Sequence, residues 1–136
     1  MRKSFSCVLL VDDDETSIFL SEMAIQRSNF AQEIHSTFNG EDAIDFLEKQ
    51  YTVAPKPVPP CPELIMLDIN MPVMDGFEFL TELRQRAHLL TAAHIVILTS
   101  SSNPCDLETA SNLGVSAYVN KPLTAEILED LRMQWQ

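Results

Sequence analysis

Short apolar runs that end in polar residues alternate along the chain with segments of helical periodicity. The first run, Phe5 to Val11, is nearly continuous, as expected of a strand buried on both faces. Asp14 to Ser28 then carries Ile18, Phe19, Leu20, Met23, Ala24 and Ile25 as a broad helical stripe. Ala31 to Phe38 reads as a second strand through Ile34, Ser36 and Phe38. Asn39-Gly40-Glu41-Asp42 opens a second helix, with Ala43, Ile44 and Leu47 on one face. Leu64 to Leu67 is a third strand, followed by Asp75-Gly76-Phe77-Glu78, where an acid precedes Glu by three residues in the manner of a capping box. Phe77, Leu80, Leu83 and Ala87 mark the face of the third helix. His94 to Thr99 is a fourth strand. Asn103 and Pro104 are placed as N-cap and first residue of a fourth helix, and Gly114 is placed to end it. Ser116 to Val119 is a fifth strand, and Thr124 caps a last helix with Ile127, Leu128 and Leu131 inward.

Strands and helices in strict alternation predict an α/β fold with one parallel sheet covered on both faces. The chain of 136 residues suits one core, so residues 1–136 are expected to form a single domain without an output domain. Five prolines between Thr52 and Pro62 remove backbone donors, which predicts an extended loop there. A tolerated spacer is the ordinary reading of that loop, with partner contact as the alternative.

Charge narrows the function. Twenty Asp and Glu against nine Lys and Arg give a net charge of −11, which disfavours direct nucleic-acid binding. No apolar run approaches the length of a membrane span, and the seven residues from Phe5 to Val11 are too few for a signal peptide. A cytoplasmic protein with no membrane contact is expected. Three cysteines, Cys7, Cys61 and Cys105, show neither a disulfide framework nor zinc-ligand spacing. Cys7 is expected to pack as a small apolar residue, and the other two to be incidental. His35, His88 and His94 share no motif and are read as structural or exposed. Trp135 is expected to pack on the last helix.

In open parallel sheets, ligands bind beyond the carboxyl ends of the strands. Strand one delivers Asp12, Asp13 and Asp14 to that edge. Strand three delivers Asp68, with Asn70 two residues on. Strand four delivers Thr99 and Ser100, and strand five delivers Lys121 before Pro122. Gathered carboxylates repel one another and are stabilised by a hard divalent cation, and few carboxylates with retained waters suit Mg²⁺. Beside such an ion a carboxylate can attack a phosphoryl group and form an aspartyl phosphate. Taken singly, each residue has a plainer reading. An acidic triplet is usually a solvated cap, a strand-end threonine is ordinary, and a lone lysine belongs to the surface.

Together, Val11-Asp12-Asp13, Leu67-Asp68-Ile69-Asn70-Met71-Pro72 with Asp75-Gly76, Leu98-Thr99-Ser100 and Asn120-Lys121-Pro122 resemble the receiver domains of two-component response regulators. The resemblance spans essentially the whole chain. It implies a flavodoxin-like sheet of order 2-1-3-4-5 with helices on both faces. By the same resemblance Asp68 is the phosphoacceptor, and Asp13 and Asp68 ligate Mg²⁺ with the main-chain carbonyl of Asn70. Asp12 assists the metal through water. Thr99 and Lys121 bind the phosphoryl group, the Lys121–Pro122 bond is cis, and Thr99 and Tyr118 form the switch. Asp14 falls past the metal pair and is read as a helix cap. Asn70 and Ser101 occupy the positions that set acyl-phosphate lifetime in the family.

The implied function is a stand-alone signalling switch, phosphorylated by a sensor histidine kinase or a histidine phosphotransfer protein. Its output would be protein–protein contact or phosphate relay, with phosphorylation altering the face of helix four, strand five and helix five. It would not be an enzyme beyond accepting and slowly losing its own phosphoryl group. The alternative is a small Mg²⁺-dependent phosphatase with an aspartyl-phosphate intermediate, since Asp68-Ile69-Asn70 has the DxD-like spacing of haloacid-dehalogenase nucleophiles only in part. A receiver-shaped module that works without phosphate is disfavoured by the full set Asp12, Asp13, Asp68, Thr99 and Lys121.

Overall fold

A computed structural model describes residues 4–52, 62–69, 71, 74–86, 93–100 and 104–135, excluding the side chains of Tyr51, Thr52 and Trp135. The expectations for Ala87, His88, Asn103, Trp135 and most of the proline-rich loop fall outside that description. Strands β1 (Phe5–Val11), β2 (Ala31–Thr37), β3 (Leu64–Leu67), β4 (His94–Thr99) and β5 (Ala117–Asn120) alternate with helices α1 (Glu15–Arg27), α2 (Gly40–Thr52), α3 (Gly76–Gln85), α4 (Pro104–Asn112) and α5 (Ala125–Trp135). All neighbouring strands run parallel, in the order β2-β1-β3-β4-β5. This is the fold class and strand order expected from the resemblance.

Alternation along the three central strands divides the core in two. Leu9, Val11, Ile65, Leu67, Ile95 and Ile97 meet Ala43, Ile44 and Leu47 of α2, Phe79, Leu80 and Leu83 of α3, and Ala110 of α4. Val8, Leu10, Leu64, Met66, Val96 and Leu98 meet Ile18 and Ile25 of α1 and Leu128 and Leu131 of α5. A strand with helices on both sides needs apolar residues at every position, which is why these runs show no polar alternation.

The caps follow the sequence closely. Asp14 accepts from the Thr16 amide at 3.0 Å and starts α1. Asp75 and Glu78 form both bonds of the capping box, at 2.9 and 3.2 Å. Thr124 Oγ1 accepts from the Ile127 amide at 3.2 Å, and Gly114 follows α4 with φ +78°. The stripe on α1 is narrower than the sequence suggested. Ile18, Ser21 and Ile25 face the sheet at i, i+3, i+7, leaving Phe19 and Leu20 exposed. Phe38 lies one residue past β2 and is likewise exposed.

Gly76 explains the glycine after the capping aspartate. A Cβ there would stand 2.7 Å from the Asp68 carbonyl oxygen and 2.7 Å from Ile69 Cα, both backbone atoms. Helix α3 therefore begins in contact with the main chain that leaves β3. Gly76→Ala should destabilise the protein by about 2–3 kcal/mol, because backbone cannot yield as a side-chain tip can. Urea unfolding measures this, and an unchanged midpoint would refute the tight contact.

Candidate functional site

Strands of unequal length end together at one edge of the sheet, and the polar residues that follow them converge. Asp12 and Asp68 are 6% and 8% exposed, a level of burial that carboxylates reach only when paired. Their partner is Lys121. Its Nζ donates to Asp12 Oδ2 at 2.7 Å and to Asp68 Oδ2 at 3.1 Å. Burial alone would lower the lysine pKa, but the hydrogen bonds and charges of the two carboxylates outweigh it and raise the pKa above its ordinary value. The lysine is therefore a fixed positive charge between two buried negative ones.

The backbone holds this arrangement. The Asp12 amide donates to the Thr37 carbonyl, the Asp68 amide to Val11, and the Lys121 amide to Thr99, at 3.1, 2.9 and 2.8 Å. Each site residue is thus anchored to a neighbouring strand one step before the chain turns away. The Lys121–Pro122 peptide bond is cis, as the resemblance implied. Asp12 is held further by the Asp14 amide at 3.0 Å and the Ser17 hydroxyl at 2.7 Å.

Asp12, Asp13 and Asp68 each offer a carboxylate oxygen within 4.8 Å of the others. An all-oxygen set of this kind suits a hard cation such as Mg²⁺ or Mn²⁺. Asp13 is exposed and makes no hydrogen bond among the described residues, so its carboxylate is available to such an ion. Asn70 and Ser101 lie outside the described residues.

Thr99 is fully buried at the end of β4, adjoining Lys121 through its carbonyl. Tyr118 pairs in register with Ile97 and packs against the core on the α2–α3–α4 side. Burial, with the charge of Asp106 on α4 adding, raises the Tyr118 hydroxyl pKa.

Sequence reasoning missed Ser17, whose hydroxyl orients Asp12. The signal was present in the spacing, since Ser17 in the first turn of α1 lies three residues past the cap Asp14 and can reach back to Asp12, two residues before it. It also missed the oxidation state of Cys7, which is disulfide-bonded instead of merely packing. Cys105 is exposed and not in a disulfide, and Cys61 lies outside the described residues.

The family model for the response regulator receiver domain matches residues 8–132. A probable chemotaxis protein CheY from Rhizobium etli is 34% identical, over 88% of this chain and 83% of its own length. A two-component response regulator from Cytophaga hutchinsonii is 32% identical, with TM-score 0.84 and 97% of each chain covered. The Mn²⁺-bound form of response regulator Rcp1 is 29% identical with TM-score 0.73, covering 94% of this chain and 90% of that one. Some relatives are longer: the chain spans 44% of the probable transcriptional regulator ycf27 of Porphyra purpurea. Among the described residues, no helix is long and apolar enough to cross a membrane. These matches do not favour the phosphatase alternative. The chain belongs to the response regulator receiver family, the phosphorylation-activated switches of two-component signalling.

Proposed function

We propose that Asp68 is the phosphoacceptor of this switch, with Lys121 and Thr99 binding the phosphoryl oxygens. The observation that carries the reading is the Lys121 ammonium held between Asp12 and Asp68 beside the exposed carboxylate of Asp13. One Asp68 oxygen attacks phosphorus and the P–N bond of a phosphohistidine donor breaks, its electron pair staying on the imidazole, which leaves as the neutral ring after taking a proton from solvent. Charge develops on the phosphoryl oxygens, and a preplaced ammonium stabilises it without reorganisation. Asp12, Asp13 and Asp68, with the Asn70 carbonyl, would hold Mg²⁺, which would neutralise the same oxygens. The donor is a sensor histidine kinase or a histidine phosphotransfer protein, consistent with the family's use of histidine kinases.

The new phosphoryl group adds about −1.5 to −2 charge at the sheet edge. It draws Lys121 off Asp12 and engages Thr99, and Tyr118 carries the change to α4, β5 and α5. Residues 1–136 are read as one receiver domain in the cytoplasm, with output by protein contact. Phosphorylation is stoichiometric, not catalytic. Incubation with acetyl phosphate and Mg²⁺, followed by intact-mass analysis, tests this. One phosphoryl group per chain with Mg²⁺ and none with EDTA is expected. Continuous turnover of a small phosphate ester with saturation would restore the phosphatase reading.

Asp13→Asn should separate ligation from structure. Lys121 offsets much of the repulsion between Asp12 and Asp68, so what remains falls on Asp13. Its neutralisation should slightly stabilise the metal-free protein, because like charges crowded at one edge repel. Mg²⁺ should raise the melting temperature of wild type by binding the native state, and the variant should lose most of that rise. Thermal melts with Mg²⁺ and with EDTA at matched ionic strength decide it. A variant that keeps the full Mg²⁺ shift would show that Asp13 is not a ligand.

A further inference from the structure

A second group of ligating side chains lies along β1 before the aspartate pocket, starting from Cys7, five residues before Asp12. Cys7 of β1 is opposite Glu33 of the edge strand β2, and Leu9 is opposite His35. Side chains alternate along a strand, so Cys7, Glu33 and His35 project to the face where Leu9 packs under α2. One atom from each, the Cys7 sulfur, a Glu33 carboxylate oxygen and a His35 ring nitrogen, lies within 4.8 Å of the others. His35 Nε2 and Glu33 Oε2 are 3.7 Å apart. That is close to the roughly 3.5 Å between ligands around a tetrahedral zinc ion with bonds of 2.0–2.3 Å. The Phe46 ring of α2 lies 5.0 Å from the imidazole and fixes the side of the strand on which it stands. Cys7 is buried, whereas His35 is half-buried and Glu33 exposed, so the remaining closure falls on the two side chains that can move.

We propose that this group is a redox-gated zinc site, closed to metal while Cys7 is in its disulfide and open once that disulfide is reduced. Reduction takes up two electrons and two protons, yielding two thiols, while a dithiol donor is oxidised to its own disulfide. On binding Zn²⁺ the Cys7 thiol gives its proton to solvent, and the thiolate, imidazole and carboxylate take three positions. Solvent takes the fourth. The ligand chemistry separates this site from the aspartate pocket about 16 Å away along β1. Sulfur and imidazole select Zn²⁺ or Co²⁺, while three carboxylates select Mg²⁺. Disulfides are rare in reducing compartments, so there the open form would prevail. The bound ion would tie the edge strand β2 to the central strand β1.

The test uses the full chain carrying Cys105→Ser, which removes the exposed thiol, in excess Mg²⁺ to occupy the carboxylates. Reduced with a phosphine and titrated with Co²⁺, it should develop a thiolate-to-cobalt charge-transfer band that one equivalent of Zn²⁺ displaces. The oxidised protein should show no such band. His35→Ala, a change at a part-exposed position, should weaken Co²⁺ binding by roughly tenfold or more, the range seen even for losses around a metal's ligands. Cys7→Ser should abolish the band, with circular dichroism confirming that both variants fold. A disulfide that resists the phosphine in the folded protein would overturn the proposal. So would a reduced protein without the band, or a band unchanged by His35→Ala.

Discussion

Asp68→Asn should gain no phosphoryl group from acetyl phosphate and Mg²⁺ under conditions that add one group to every wild-type chain. The substitution keeps the shape of the side chain and removes the charge that makes it nucleophilic. An amide oxygen also forms no stable acyl phosphate. The fold should tolerate the change, because Lys121 retains its shorter bond to Asp12 at 2.7 Å. The 3.1 Å contact from Lys121 to position 68 weakens from a charged to a neutral hydrogen bond. A loss of about 1 kcal/mol is therefore the expected effect on stability. Intact mass reads the first outcome and urea unfolding the second. Stoichiometric labelling of the variant would move the acceptor to another residue, and Asp13, as the accessible neighbour, would be tested next. Loss of labelling together with collapse of the fold would instead make Asp68 a structural partner of Lys121.

The sequence made the site legible because Asp12, Asp68 and Thr99 each sit one step beyond an apolar run, and Lys121 two steps beyond one. A continuous apolar strand has to stop where the sheet edge meets water, so the first polar residue after it marks that edge. Asp12, Asp68 and Thr99 were placed this way, Lys121 follows Asn120 by one residue, and the structure brings Lys121 to the two aspartates. The long-range pairings were not legible, since they depend on which loops meet in space. Arg132 is an example. It is 7% exposed, donates to the carbonyls of Ser28 and Asn29 at 2.9 and 3.1 Å, and lies over the Phe30 ring. In the sequence it is one charge among many on an amphipathic helix. Its role appears only in the fold, where Asn29, just past the C-cap of α1, takes the left-handed conformation at φ +49° and its carbonyl meets Arg132 of α5. Phe79 was also missed, although it is fully buried, because the helical face was read through Phe77 and Leu80. The stripe of α3 is centred instead on Phe79, Leu80 and Leu83. The chemistry of Cys7 was hidden for the same reason as Arg132, since a disulfide partner is a matter of tertiary approach.

Lys121→Met should produce the largest loss of stability of any substitution in the site, and Mg²⁺ should restore much of it. Methionine fills a similar volume and keeps the apolar stem packed, so the charge is the main thing removed. Asp12 and Asp68 are then left buried with no cation between them, and breaking a buried pair by removing one partner costs about 3–5 kcal/mol. The bonds from Ser17 and the Asp14 amide still satisfy Asp12, which places the expected loss near the lower end, about 3 kcal/mol. The divalent ion supplies positive charge to the same carboxylates, so the variant should gain more from Mg²⁺ than wild type does. The pH dependence follows from the raised lysine pKa. A native pKa above the unfolded value means that the lysine's contribution is fully present below the ordinary value of 10.5 and is lost as pH rises through the native value. The gap between wild type and variant should therefore be constant near neutrality and close only in strongly alkaline solution. Urea midpoints in EDTA and in Mg²⁺ measure the first effect, and a pH series measures the second. A variant as stable as wild type in EDTA would show that Ser17 and solvent suffice for the carboxylates. Lys121 would then be reserved for the phosphoryl group, and its substitution would slow phosphorylation while leaving the fold untouched.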